Sequence, residues 1–194
     1  MGDLNQKAER FRALHVSGQP LVLFNVWDPG TAKAATAAGV QAIATGSWSV
    51  AAANGFADGE QIPLDAVIGN LARIVGATNL PVSVDIESGY GKTAGDVGRT
   101  IARTIEAGAI GCNLEDSFPE SAQLRDLAEQ TERIRHARKA AEAARLSYFI
   151  NARTDVFFQG PPDQHDDGML EEALVRARAY AEAGADGIFV PGLV

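Results

Sequence analysis

Cysteine is almost missing: Cys112 stands alone in 194 residues, which excludes an internal disulfide and any thiolate-rich metal site. Histidine is nearly as scarce, with three in the chain. His15 falls on an N-terminal helix, His136 on a long helix and His165 in an exposed loop. They share no spacing and offer no base to a Ser or Cys nucleophile, so all three read as surface residues. Basic charge is in deficit, 17 Lys and Arg against 25 Asp and Glu for a net −8. With no basic cluster either, a nucleic-acid or anionic-membrane partner lacks electrostatic support. No apolar run approaches the roughly 20 residues of a membrane span, and the opening MGDLNQKAERFRAL lacks the apolar core of a signal peptide. A cytoplasmic location is the expectation.

What is present is 46% hydrophobic and 22% charged residues, enough to bury the core of one ordinary domain. Short β-rich runs alternate with longer segments of helical period. The runs are LVLFNV (21–26), AIATG (42–46), PVSVDIE (81–87), GCNLED (111–116), YFINART (148–154) and GIFVPGL (187–193). Between the second and third, Leu64, Val67, Ile68, Leu71, Ile74 and Val75 mark one helical face, with Pro63 where a first turn tolerates proline. Similar stripes run through Val97, Ile101 and Ile105 and from Leu170 to Ala181, and 124–146 reads as a longer, charge-covered helix. A weak repeat, AAGVQAI, EAGAIGC and EAGADGI, ends a helix at glycine and launches a strand each time. Near-continuous apolar strands joined by helices imply a parallel sheet. An open doubly wound sheet and a barrel both satisfy that. The barrel is preferred, because no GxGxxG follows the first strand and polar residues gather at successive strand ends. The fold expected is therefore α/β, a (β/α)8 TIM-barrel type with six βα units present. They form a single domain over 1–194 that is cut short at its C-terminus.

Alternation along the strands places Asp85 with Glu87, Asn113 with Glu115 and Asn151 with Arg153 on inward faces. Buried unpaired carboxylates are prohibitive, so Asp85, Glu87 and Glu115 call for cations, donors or water in the same mouth. A divalent ion answers that need, and oxygen ligands without clustered His or Cys select Mg²⁺ or Mn²⁺. The plainer alternative has such acids capping helices or pairing with Lys and Arg, the role read for Asp116 and Asp155. Arg153 offers a planar fork for a carboxylate or phosphonate, or else a permanent partner for the acids. Small residues in ATGSWS let backbone N–H groups approach an anion, with Trp48 walling the pocket or packing. Cys112 alternates away from Glu115 and should face the helices, and Lys92 reads as a solvated loop residue.

ATGSWSVAAANGFADGE, VDIESGYG, NLEDS and NARTD, in that order, resemble the isocitrate lyase and phosphoenolpyruvate mutase superfamily. The likeness extends to its phosphoenolpyruvate phosphomutase-like and carboxyvinyl-carboxyphosphonate phosphorylmutase-like members and spans roughly residues 20–193. The resemblance implies a (β/α)8 barrel in a homo-oligomer that uses Mg²⁺ to hold a small anionic 2-oxo acid or its enolate. It implies Asp85 as the direct metal ligand, with Glu87 and Glu115 on metal-bound waters. Asp58 would lie near the reacting group, Arg153 on the substrate's anionic end, and Thr45, Gly46 and Ser47 around its carboxylate. The lyase branches carry K-[KR]-C-G-H on the loop that here reads DSFPESAQLRD, and Pro191 stands where mutases have histidine. What remains implied is the shared chemistry. That is a Mg-dependent, lyase-like enzyme forming or cleaving a C–C or P–C bond, oxaloacetate decarboxylase-like or phosphonopyruvate-type. The rival is an inactive member that binds a small anion or a protein.

Overall fold

The computed structural model describes residues 2–193. The alternation of apolar runs and helical stripes becomes six strands and seven α-helices among the described residues. Strand β1 is Phe24–Val26, β2 Ile43–Thr45, β3 Val82–Asp85, β4 Gly111–Glu115, β5 Phe149–Arg153 and β6 Gly187–Phe189. The helices are α1 (Gly2–Ala13), α2 (Pro29–Ala37), α3 (Ser47–Ala53), α4 (Leu64–Gly76), α5 (Ala94–Glu106), α6 (Leu127–Ala143) and α7 (Asp167–Glu182). Each strand lies within its expected run but is shorter, because ladder pairing stops before the apolar pattern does. The order is β1-β2-β3-β4-β5-β6 with every pair parallel. Sequential addition in one direction is the barrel's topology; a doubly wound sheet would reverse at a switch point. β1 and β6 are not paired with each other, so this is a barrel of six units left open.

Three of the connecting helices start on a side-chain cap, two of them reciprocal and the third, α7, with Asp166 accepting the Met169 N–H at 2.9 Å. Asp28 accepts from the Thr31 N–H while the Thr31 hydroxyl receives the Asp28 N–H, and Pro29 sits in the first turn of α2. Thr93 and Asp96 form the same reciprocal cap on α5. Pro63, expected inside the first turn of α4, instead occupies its N-cap. Leu71 and Ile74 of α4 and Val97 and Ile101 of α5 are buried in the core against the sheet, while Val67 packs with Val50, Ala51 and Ile62. Each is worth about 1.5–3 kcal/mol against exposure. Cys112 and Leu114, alternating with Asn113 and Glu115, look into this layer and are fully buried. At the amino end of the sheet, Phe11 of α1 packs edge-on to Phe149 at 5.4 Å, and His15 stacks on the same ring at 4.4 Å.

The three repeat glycines share one task. Gly39, Gly108 and Gly184 follow the C-caps of α2, α5 and α7 at φ +84, +97 and +108, a region that side chains resist. Arg145 takes the matching place after α6 at φ +54, so glycine is preferred there but not obligatory. A Cβ on Gly108 would stand 2.8 Å from Val75 Cγ1, whereas one on Gly39 meets nothing within 4 Å. Gly39→Ala should therefore cost only the left-handed conformation, about 1–2 kcal/mol. Gly108→Ala adds an overpacking cost of about 1–3 kcal/mol. Thermal denaturation should show Gly108→Ala melting well below Gly39→Ala, by roughly 2–4 °C per kcal/mol at this chain length. Equal melting temperatures would refute this account of Gly108.

Candidate active site

Parallel register puts the carboxyl ends of the strands at one level. Asp85 lies beside Asn113, Asn113 beside Asn151, and Glu115 beside Arg153. The strands enclose a cavity of about 890 Å³ that runs from Phe11, His15 and Phe149 at the amino end up to this level, where its polar wall includes Asn25, Asp58, Asp85, Asn113, Asn151 and Arg153. Gly46, Ser47 and Trp48 line the same space. Asn151 donates to the Asn113 side chain at 2.8 Å between neighbouring strands on the cavity wall.

Asp85, the last residue of β3, is held by its neighbours' backbone. Its Oδ1 accepts the Glu87 N–H at 3.0 Å and its Oδ2 the Ser47 N–H at 3.3 Å. No Lys or Arg forms an ion pair with it among the described residues. Burial pushes its carboxyl up, more than these two N–H groups and the charge of Arg153 pull it down. Glu87 lies beyond the strand at φ +51, so the alternation expected to align it with Asp85 ends before reaching it. Its Oε2 accepts the Glu60 N–H at 2.6 Å and its Oε1 the Tyr90 hydroxyl at 3.1 Å. Burial raises it to about 7, with Asp58 and Asp85 adding to the rise. Glu115 Oε2 forms an ion pair with Arg153 Nη1 at 3.0 Å, yet burial still raises it to about 8.

Arg153 is doubly paired, Nη1 to Glu115 and Nε to Asp155 Oδ1 at 2.6 Å. Phe158 and Phe189 lie 5.6 and 5.9 Å from the guanidinium carbon. Asp155, read from the sequence as a capping or pairing acid, is thus what aims this arginine, and it also accepts the Ser117 hydroxyl. Asp116 does pair away from the mouth, accepting from the Tyr180 hydroxyl at 2.7 Å and from Arg176 at 3.3 Å. Thr45 is buried, and its hydroxyl accepts the Asp85 N–H at 2.9 Å. It is not on the cavity wall with Gly46 and Ser47. Asp58 sits in an exposed loop and reaches the cavity from above. Trp48 is 70% exposed at the rim.

Elsewhere the sequence reading meets mixed outcomes. Cys112 is buried on the helix side, and burial pushes its thiol up to about 12. Lys92 is exposed in its loop. His165 is half-buried rather than exposed, with Nε2 on the Phe157 carbonyl at 3.0 Å. Helix α3, Glu60 and Tyr90 were not singled out from sequence. A seven-residue helix and a clasp between distant loops leave no periodic trace, and only the acid in ADGEQ hinted at Glu60.

An oxygen-only donor set around a half-buried Asp85 that no Lys or Arg pairs among the described residues fits a hard divalent cation. Among the described residues no three His, Cys, Asp or Glu side chains converge to hold one together. One direct carboxylate, with other acids acting through water, fits that spacing better than a closed protein cage. No helix of the described chain is long and apolar enough to cross a membrane.

Compared with known proteins, residues 11–194 match the family described as phosphoenolpyruvate phosphomutase. A solved structure from Burkholderia cenocepacia J2315, provisionally described as a phosphonomutase, superposes with a TM-score of 0.96 at 60% identity, over 98% of this chain and 75% of that one. The 2-methylisocitrate lyase of Escherichia coli K12 is 33% identical over 96% of this chain. The oxaloacetate decarboxylase of Pseudomonas entomophila L48 is 33% identical over 94% of it. The chain spans 62% of the length of each of these two curated relatives.

The raised carboxyls set a pH dependence for the metal-free protein. Glu87 near 7 and Glu115 near 8, against 4.5 for both in a free chain, hold protons in the folded state that the unfolded chain has lost. Their contribution is therefore favourable below about pH 4.5 and is lost as pH rises through 7 and 8. With a chelator present, the melting temperature by calorimetry should fall between about pH 5 and pH 8. Glu115→Gln should flatten the fall, and a flat or rising profile in the unsubstituted protein would contradict the burial of these acids.

Proposed function

The chain belongs to the phosphoenolpyruvate phosphomutase family of the isocitrate lyase and phosphoenolpyruvate mutase superfamily, and on that premise we propose that it acts as a divalent-metal-dependent lyase on a small anionic 2-oxo acid. The bond formed or cleaved is C–C, as in oxaloacetate decarboxylation, or P–C, as with a phosphonopyruvate-type substrate. The observation that carries the reading is Asp85, a half-buried carboxylate without an ion-pair partner among the described residues, in one cavity with Arg153 and Asp58.

Asp85 is the residue to hold Mg²⁺ or Mn²⁺ directly, with Glu87 and Glu115 to hold its waters. When bound, the ion supplies Lewis-acid stabilisation of negative charge developing on the 2-oxo acid. Arg153 has Nη1 and Nε engaged by Glu115 and Asp155, which leaves Nη2 for the substrate's anionic end. Because two carboxylates fix its plane beforehand, little rotamer freedom is lost when the anion arrives. Gly46 and Ser47 wall the substrate beside Asp85. Thr45 serves the site indirectly, by holding the backbone of Asp85 in place. Asp58 stands over the reacting group at the cavity lip, and Trp48 shields it from bulk water. Exposed Phe24 on the outer strand β1 is apolar surface that assembly into a homo-oligomer would cover, whereas Phe189 on β6 lines the cavity beside Arg153.

The loop after β4 favours the second reading, an inactive family member that binds a small anion. It offers no Lys, Cys or His between Asp116 and Asp126, and its Phe118 ring is covered by Arg125 at 4.0 Å.

Oxaloacetate, 2-methylisocitrate and phosphonopyruvate, each assayed with Mg²⁺ and with chelator, decide between the two. Metal-dependent turnover of at least one is expected. Asp85→Ala should abolish both Mn²⁺ binding by calorimetry and turnover. Glu115→Gln should weaken metal affinity by about 10- to 100-fold, the loss typical of an outer partner. Oxalate binding without turnover of any substrate would favour the binding module. Mn²⁺ binding by Asp85→Ala equal to that of the unsubstituted chain would sink the metal assignment.

A further inference from the structure

Left-handed backbone at a non-glycine residue is held only where contacts over-determine it, and such residues gather at functional sites. Three of them meet beside this cavity, outside its lining: Glu60, Glu87 and Tyr90, at φ +57, +51 and +54. They come from two segments 27 residues apart and are tied into a closed ring. The Glu60 N–H donates to Glu87 Oε2 at 2.6 Å. In return, Glu60 Oε1 accepts the Ser88 hydroxyl at 2.7 Å and the Tyr90 N–H at 2.9 Å. The Tyr90 hydroxyl closes the ring on Glu87 Oε1 at 3.1 Å. Ser88 is buried and its Oγ also accepts from Arg125 Nη2 at 3.3 Å.

The left-handed turn at Glu60 is what allows one residue to present both its N–H and its carboxylate to the facing turn. Each oxygen of Glu87 thereby receives one fixed donor. Among the described residues, Glu60 makes every hydrogen bond between the loop 57–61 and the turn 86–91. That loop also carries Asp58, two residues earlier, into the cavity. Neither Arg153 nor the wall at Gly46 and Ser47 hydrogen-bonds any member of the ring.

We propose that Glu60 is a positioning residue, a clasp that sets the Glu87 carboxylate and Asp58 in one register over the candidate reaction centre. The proposal rests on the functional reading above for its catalytic consequence, though not for the clasp itself. Since the substrate's anionic end is held elsewhere, loss of the clasp should misplace the reacting geometry and leave the grip on substrate unchanged.

The test uses the full chain, unsubstituted and as Glu60→Gln, Glu60→Ala and Glu60→Gly. Glutamine keeps the accepting oxygen, whereas glycine loses the carboxylate but tolerates the left-handed backbone and so guards against an alanine variant that fails to fold. Two readouts are taken: amide hydrogen exchange at residues 58–61 and 86–91 in metal-free protein, and kcat and KM for whichever oxo acid the unsubstituted chain turns over. Glu60→Ala and Glu60→Gly should exchange the Tyr90 amide at least about tenfold faster, and kcat should fall by about 10- to 100-fold, as for other outer partners. KM should stay within about threefold, and Glu60→Gln should recover both exchange protection and kcat. The proposal is overturned if alanine and glycine keep Tyr90 protected, if glutamine falls as far as alanine, or if KM rises in step with the loss of kcat. Should the unsubstituted chain neither bind Mn²⁺ nor turn over any oxo acid, the functional reading fails instead. Amide exchange then still decides the clasp.

Discussion

A carboxylate that ends a buried strand must be given a partner, and the upper half of this molecule is arranged around that cost. Asp85 draws on two backbone N–H groups, Glu87 on an N–H and a phenol, and Glu115 on a guanidinium. Even so, all three carboxyls remain raised by burial. The partners supplied are those of a site left electrostatically incomplete. A fold selected for stability alone would replace such acids with apolar or amide side chains, which burial does not penalise in this way.

Register turns that cost into a site. Parallel strands added in sequence bring Asp85, Asn113 and Asn151 to one level and Glu115 and Arg153 to the next. A slip of one residue would turn each of these side chains into the helix layer, where Cys112, Leu114, Ile150 and Ala152 now pack without exposure. The same alternation that builds the core therefore fixes the mouth. A volume change in the helix layer is felt at the cavity, because close-packed interiors transmit strain rather than absorb it.

Most of this was legible in the sequence because it rests on short-range periodicity. The six apolar runs became strands, and the repeated glycine marked helix ends at Gly39, Gly108 and Gly184. Asp85, Glu115 and Arg153 could be placed at strand ends because period-2 alternation holds throughout β3, β4 and β5. Glu87 could not, since the chain turns left-handed there and alternation carries no information past the last paired residue. The resemblance implies Thr45 as a substrate contact together with Gly46 and Ser47. Its hydroxyl is engaged by the next strand, and such lateral pairing depends on register that sequence spacing alone does not give. Glu60 escaped for a related reason: its partners lie 27 to 30 residues away and nothing periodic connects the two loops.

The aim of Arg153 is also set from a distance. Asp155 holds its Nε while receiving the Ser117 hydroxyl, and the Asp155 N–H donates to Asp116 at 2.9 Å. Asp116 in turn is fully buried against Tyr180 and Arg176 of α7. A chain of hydrogen bonds thus runs from the outer helix, through two buried acids, to the guanidinium at the cavity wall. Each link is charge-assisted and shielded from water, the setting in which such bonds are strongest and most sensitive to loss of a partner. Arg176 and Tyr180 lie outside the cavity lining, yet they fix where the positive charge in the mouth can stand. The extent of the site is consequently larger than the cavity, and its outer boundary is the packing of α7 against the sheet.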